Sequence, residues 1–310
     1  MNNFWQDKKI LVAGEESFLG KYVVEKLIND GCKRENIFIP SGYDLTRADG
    51  CEQAVKGKDM VIFLGGVMGG IAFNRKYPAR AFYENASRSL NLIEASRKEG
   101  VKKFVGLGSV CSYPKITPVP FKEENLWQGY PEETNASYGL AKKFMLVQSE
   151  AYNREYGFLA IHLLLGNLYG PDDDFNQETS HVIPALIQKI EKAKKNNDNY
   201  VEMWGTGSPT REFIYVKDAA EAIVLAAEKY DKPEPVNIGT GKDISIKGLV
   251  ETACKLMDFN GEIRWDSSKP DGQPKRCLDV SKAEKEFGFS AKTELEKGLK
   301  ETINWYYARN

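Results

Sequence analysis

Apolar residues in the first half of the chain fall in short runs set far apart. Lys9–Ala13, Asn36–Ile39, Met60–Leu64, Phe104–Leu107 and Phe158–Leu165 each hold a few consecutive apolar positions. Runs this short and this continuous predict strands covered on both faces. Helical segments are expected between them, over Lys21–Asp30, Pro78–Gly100 and from Ser137 to Ala151 or Gly157. Regular β-α alternation implies a parallel sheet with right-handed crossovers. After Pro171 the texture changes to short strands (Val201–Trp204, Arg211–Tyr215, Pro235–Gly239, Ile244–Lys247, Ile263–Trp265) among Gly-rich turns. Helices are expected up to about Lys195, from Val216 to about Lys229, after Lys247, and near Thr293–Tyr307.

The first strand runs into Gly14-Glu15-Glu16-Ser17-Phe18-Leu19-Gly20 and then a helix. Strand, glycine turn, helix is the opening of a dinucleotide-binding unit, with the helix N-terminus facing a pyrophosphate. Ser17 stands where a middle glycine is usual; its backbone can still donate, but its Cβ narrows the approach. The third strand leads into Gly65-Gly66-Val67-Met68-Gly69-Gly70, a loop that lets backbone come close to a ligand. Gly14, Gly65, Ser109 and Asn167 all follow strand carboxyl ends, where ligands collect in open α/β sheets. The predicted fold is therefore α/β, a Rossmann-type doubly wound parallel sheet with a smaller, discontinuous C-terminal substrate lobe. Residues 1–170 plus about 214–240 form the dinucleotide-binding domain, and 171–213 plus about 241–310 the other. The loop after strand two, Pro40–Leu45, holds no Arg for a 2′-phosphate, and Glu15 and Glu16 would repel one. Charge leans toward NAD over NADP.

Tyr138 and Lys142 are four residues apart, on one face of a helix. An ammonium beside a phenol is expected to pull it below its free pKa of about 10 and ready it for proton transfer. Ser109, at a strand end, would hold a substrate oxygen against that phenol.

A net charge of −1 gives no basic surface for nucleic acid or membrane. Five scattered cysteines without a C-x-x-C, and two histidines, argue against a disulfide frame or a metal site. No signal peptide or membrane span is evident, so a cytoplasmic location is expected.

Several stretches then resemble a known family. Gly108–Lys115, Asn167–Pro171, Ser180–Leu186, Trp204–Phe213, Val67–Ile71 and Lys269–Gly272 look like the extended short-chain dehydrogenase/reductase family. Within it they are most similar to the GDP-L-fucose synthase branch. The resemblance implies Ser109, Tyr138 and Lys142 as the reductase triad, and Cys111 and His181 as the acid/base pair of an epimerisation. It implies coenzyme contacts at Gly14, Ser17, Phe18, Leu19, Gly20, Asp44, Leu64, Gly65, Gly66, Leu107, Tyr138, Lys142, Asn167 and Leu168. GDP-sugar contacts are implied at Asn167, His181, Lys189, Trp204, Arg211, Asp271 and Arg276. The implied reaction inverts C3 and C5 of GDP-4-keto-6-deoxy-D-mannose and reduces C4 with NADP or NAD. An NAD-dependent C4 dehydrogenase or 4-epimerase of a related GDP-hexose or GDP-heptose is the alternative; a non-catalytic nucleotide-binding protein is a further one. A homodimer through a four-helix bundle of Pro78–Gly100 and Ser137–Gly157 is implied, with Leu90 and Ile93 as outward apolar candidates. The chain departs from the branch at Ser17, at Glu16 and Gly42 in place of arginines, at Lys189 in place of Arg, and at Leu165-Gly166-Asn167.

Overall fold

The first half folds as β1 (Ile10–Ala13), α1 (Phe18–Asn29), β2 (Ile37–Phe38), α2 (Ala48–Val55), β3 (Met60–Phe63), α3 (Ile71–Lys76), α4 (Pro78–Glu99), β4 (Lys103–Ser109), α5 (Ala136–Tyr156) and β5 (Ala160–Leu165). The second adds β6 (Asn167–Tyr169), α6 (Val182–Asn196), β7 (Tyr200–Trp204), β8 (Thr210–Tyr215), α7 (Val216–Lys229), β9 (Val236–Ile238), β10 (Asp243–Ser245), α8 (Ile246–Leu256), β11 (Glu262–Asp266), β12 (Lys275–Arg276), α9 (Ser281–Phe287) and α10 (Leu295–Tyr307). This computed structural model describes every residue except 1–3, 15, 68–70, 177–179, 270 and 310, and omits the side chains of residues 71 and 72. Glu15, Met68, Gly69, Gly70 and Pro270, singled out in the sequence, lie outside the described residues.

Six strands pair in the order β2-β1-β3-β4-β5-β9, every pair parallel. Side chains alternate between the two faces as the pleat requires. Ile10, Val12, Met60, Ile62, Val105, Leu107, Ile161 and Leu163 enter one core with α1 and α7. Leu11, Ala13, Val61, Phe63, Phe104 and Ala160 enter another with α2, α4 and α5. Both faces are covered, which is why the strands read as unbroken apolar runs. From β1 the chain steps outward to β2 and returns to β3 on the other side. The crevice between the carboxyl ends of β1 and β3 is the switch point of the sheet.

A third core joins α6, α8 and α10 to β7 and β8. There β10, β8 and β12 pair in that order, β6 lies along β8, and β7 pairs with β11. Buried side chains knit these elements to the main sheet. Glu212 on β8 is 2% exposed; it accepts hydrogen bonds from the backbone N–H groups of Thr240, Gly241 and Leu278. Asn237 on β9 donates to the carbonyls of Phe121 and Asp279 and accepts from the Tyr113 hydroxyl.

Two expectations shift. The strand read over Asn36–Ile39 is only Ile37–Phe38, because Arg34–Asn36 forms a 3-10 turn. Helices α2, α3 and α9 and strand β12 have no counterpart among the expected elements.

Candidate active site

Gly14 closes β1 with φ +105°, a left-handed backbone that favours glycine. A Cβ there would lie 2.8 Å from the amide of Gly65. The two glycines therefore let the turns after β1 and β3 touch across the switch point. Ser17 does more than replace a glycine. Its hydroxyl donates to the Gly14 carbonyl at 2.5 Å and accepts from the Gly20 amide, which makes it the N-cap of α1. Phe18 and Leu19 form the first turn, with Leu19 in the core. The N-terminus of α1 thus opens on the switch-point crevice, where oriented N–H groups suit a phosphate.

Ser109 ends β4, and its hydroxyl caps the short turn Val110–Ser112 by accepting from the Cys111 amide at 3.2 Å. Tyr138 lies on the first turn of α5, 7% exposed. Its hydroxyl shares a hydrogen bond with Ser109. Lys142, one turn on, is buried and donates to the Gly65 carbonyl at 3.5 Å. A strand end, a helix face and the glycine turn after β3 thus meet at one point. The pKa expected for Tyr138 needs correction. Burial raises it above 10, the neighbouring Cys111 raises it further, and only the Ser109 hydrogen bond opposes them. Lys142 Nζ stands 5.8 Å from the centre of the phenol ring. Lys142 itself is pulled down to about 8, by burial first and then by the Arg88 charge. The pair holds a protonated phenol, fitted to donate, beside an amine that titrates near neutral pH.

Four residues that spacing did not single out complete this point. Gly139 on α5 has no room for a side chain: a Cβ would lie 2.9 Å from the carbonyl carbon of Cys111, against backbone. Ser112 donates to the Gly139 carbonyl, locking the turn onto the helix. Asn85 on α4 donates to the Val67 carbonyl while its buried Oδ1 has no donor among the described residues. Arg88 supplies the charge that Lys142 feels. A small residue after Tyr138 was the one available sequence signal; Asn85 and Arg88 had none.

Cys111 is half-buried, and Arg276 on β12 places Nη1 3.9 Å from its sulfur. Arg211, paired with Arg276 in register across β8 and β12, is drawn down to about 10 by burial and then by its neighbour's charge. Its Nη2 reaches the Asp271 carbonyl at 3.5 Å. The Asp271 carboxylate accepts from the amide and hydroxyl of Thr206, so it secures the Gly205–Gly207 turn. Trp204 is 66% exposed, which places its indole outside any core. Lys189 Nζ stands 5.3 Å and Lys269 Nζ 5.8 Å from that ring. An exposed aromatic face with two ammoniums beside it suits a base and the charge of its diphosphate. His181 caps α6, and burial lowers its pKa. Among the described residues, no hydrogen bond joins it to Cys111. His162 lies fully buried on β5, as an interior histidine.

The remaining expected coenzyme positions differ in what they can offer. Gly66 leaves no space for a Cβ beside Asn85. Leu64 and Leu107 turn their side chains into the core, which leaves their backbones for contact, and Leu168 packs against the same core. Asn167 donates its amide to the Glu212 carbonyl at 2.7 Å. Asp44 accepts from the amide and hydroxyl of Thr46, and lines a cleft of about 550 Å³ with Arg80, Tyr83 and Arg88. Pro40–Leu45 holds no arginine, but Arg47 ends the same loop, paired with Asp49, and α4 brings two more to the cleft, each bonded to Glu84.

Comparison with known proteins places these features in context. Residues 10–239 match the model of the NAD dependent epimerase/dehydratase family. The probable GDP-L-fucose synthase 1 of Oryza sativa subsp. japonica is 39% identical over 309 residues, covering 98% of this chain and 94% of the rice protein. A GDP-6-OMe-4-keto-L-xylo-heptose reductase from C. jejuni superposes with a TM-score of 0.90 at 31% identity, covering 100% of this chain and 99% of the other. A GDP-L-fucose synthetase from Naegleria fowleri bound to NADP gives 0.87 at 28% identity, covering 98% and 95%.

Proposed function

The chain belongs to the NAD dependent epimerase/dehydratase family, and we propose that within it the protein is a GDP-L-fucose synthase-like 3,5-epimerase and 4-reductase. The substrate is GDP-4-keto-6-deoxy-D-mannose. One observation carries the reading: Ser109, Tyr138 and Lys142 converge at the end of β4, with Cys111 on the next turn and Arg276 against it. The coenzyme is NADP or NAD. Its fit rests on the Gly14–Gly65 contact, which a Cβ would fill, and on the unpartnered Asn85 oxygen beside Gly66. Gly14, Ser17 to Gly20, Gly65, Gly66 and Lys142 would hold it, with Asp44 at the far end. When bound, it supplies the hydride for C4.

The chain's own groups do the rest. Ser109 and Tyr138 aim two hydroxyls at one point, where the C4 oxygen of the sugar would accept from both. That polarisation acidifies the hydrogens on C3 and C5. Cys111 takes one as a proton, and charge gathers on the C4 oxygen, where the two donors stabilise it. His181 would return a proton from the other face. After inversion Tyr138 protonates O4 as C4 is reduced, and Lys142 stabilises the phenolate left behind. Arg211, Lys189 and Trp204 bind the GDP moiety.

The test is incubation with the 4-keto sugar in D₂O. Deuterium at C3 and C5 is expected; its absence would discard the epimerase assignment. The likeness to the heptose reductase favours one second reading, C4 reduction of a GDP-heptose. That reading predicts turnover of a keto-heptose and none of the keto-mannose. The nucleotide released on denaturing the purified protein decides between NADP and NAD.

We further read 1–170 with about 214–240 as the coenzyme-binding domain, and 171–213 with about 241–310 as the sugar-nucleotide domain. No helix among the described residues is long and apolar enough to cross a membrane; the proposed location is the cytoplasm. The proposed assembly is a homodimer through α4 and α5.

A further inference from the structure

Family resemblance places Arg276 among the groups that touch the GDP-sugar. Its neighbours point elsewhere. The guanidinium is 9% exposed and is gripped by one amide oxygen: Gln273 Oε1 accepts from Nε at 3.1 Å and from Nη2 at 3.0 Å. Gln273 is itself fixed, since its Nε2 donates to the Lys115 carbonyl at 2.8 Å. Lys115 lies on the same loop as Cys111. The third nitrogen, Nη1, is left facing the Cys111 sulfur at 3.9 Å. Among the described residues no carboxylate forms an ion pair with Arg276, so none neutralises its charge there. A guanidinium held in one orientation, with two nitrogens committed elsewhere and the third on a half-buried sulfur, suits a thiolate.

We propose that Arg276, oriented by Gln273, is the positioning residue that stabilises the Cys111 thiolate. The inference deepens the epimerase reading and rests on it for the proton that the thiolate takes. In that step the C–H bond at C3 or C5 breaks and an S–H bond forms. The electron pair left on carbon spreads to the C4 oxygen, where Ser109 and Tyr138 hold it. Reprotonation of the carbon from the opposite face completes the inversion, and the thiol returns its proton to water.

Thiol alkylation tests this without any sugar. The full-length protein is treated with iodoacetamide at pH 7, and modification of the Cys111 peptide is followed by mass spectrometry. Cys32, Cys51, Cys254 and Cys277 are buried and serve as internal references. Loss of a hydrogen bond to a charged sulfur in Arg276→Gln should slow alkylation of Cys111 by about tenfold. Arg276→Lys, which keeps the charge but not the fork, should recover part of the rate. Gln273→Leu, which keeps the guanidinium and releases it, should fall between parent and Arg276→Gln.

A parent rate in Arg276→Gln overturns the proposal. So does a rate in Arg276→Lys as slow as in Arg276→Gln, which would mark a packing role. If thermal melting shows Arg276→Gln unfolded, Gln273→Leu decides, and a parent rate there overturns the proposal. Slowed alkylation without deuterium exchange in the parent would sink the epimerase reading alone. Normal alkylation in the variants with normal exchange in the parent would sink this one alone.

Discussion

Burial raises the phenol of Tyr138 and lowers the amine of Lys142; in the proposed reaction the first gives a proton and the second stabilises the phenolate left behind. Tyr138→Phe keeps the ring and removes the proton. Its turnover on a 4-keto sugar should fall by about 10²- to 10⁴-fold; a steady-state assay at the parent level would remove the phenol from the chemistry. His162 makes a second prediction. It is fully buried, neither ring nitrogen has a hydrogen-bond partner among the described residues, and burial, then the Lys142 charge, holds its pKa down to about 3 from 6.5. Between those values the unfolded chain carries a proton that the folded chain refuses, so stability falls as pH drops through the window. In His162→Leu the loss between pH 7 and pH 5 should shrink by about 2 kcal/mol, read from urea unfolding at each pH. An unchanged loss would mean that the imidazole stays reachable by water. The spacing of Tyr138, Lys142 and Ser109 was legible because helix period and strand end fix it locally. The direction of the phenol's shift was not, because burial is a property of the assembled molecule. Nor was the meeting of Arg276 with Cys111, across a separation of 165 residues.

Among the elements, those with an unbroken apolar run or a clear cap were readable. Helix α7 spans Val216–Lys229, as read from its starting Val-Lys-Asp. Helix α2 has only Cys51, Ala54 and Val55 as buried apolar residues, too little to show a period. Strand β12 is two charged residues, Lys275 and Arg276, held by the edge of β8 rather than by any preference of their own. The contact between α5 and the Val110–Ser112 turn makes the prediction at this scale. Gly139→Ala would thrust a methyl into the Cys111 backbone. It should cost about 1–3 kcal/mol in unfolding free energy. Turnover should fall by about a hundredfold if the turn moves by about 1 Å. A variant that melts lower yet turns over normally would show that the turn's position is not critical.

For the whole molecule, the parallel sheet and its double covering were legible from alternation; the strand order β2-β1-β3-β4-β5-β9 was not, because alternation does not say on which side each new strand is added. The outer surface was not, since sequence does not say which side of a helix faces out. Of the two apolar residues expected to face outward on α4, Leu90 does so and Ile93 is buried in the core. Tyr83 and Leu90 on α4 and Phe144 and Val147 on α5 are exposed. Gln148 of α5 donates to the Leu90 carbonyl, so the two helices lie side by side there. Exposed apolar side chains on two neighbouring helices suit a partner, and the proposed homodimer would supply one. Leu90→Lys combined with Val147→Lys should shift the protein from dimer to monomer in light scattering. A parent mass for the double variant would place the interface elsewhere.

The carboxylate of Glu212 has a consequence in time. It receives the amide of Leu278, 66 residues further along the polypeptide. Arg276 is two positions before that tether. During synthesis, which delivers residues from the amino end, β1 to β5 and the glycine turns that face the switch point leave the ribosome long before it. The hydroxyls and amine that meet at the β4 end therefore emerge first, and the strand bearing Arg276 follows as the last strand, ahead of only α9 and α10. A nascent chain arrested short of Arg276 would own the crevice but lack the cation beside the sulfur.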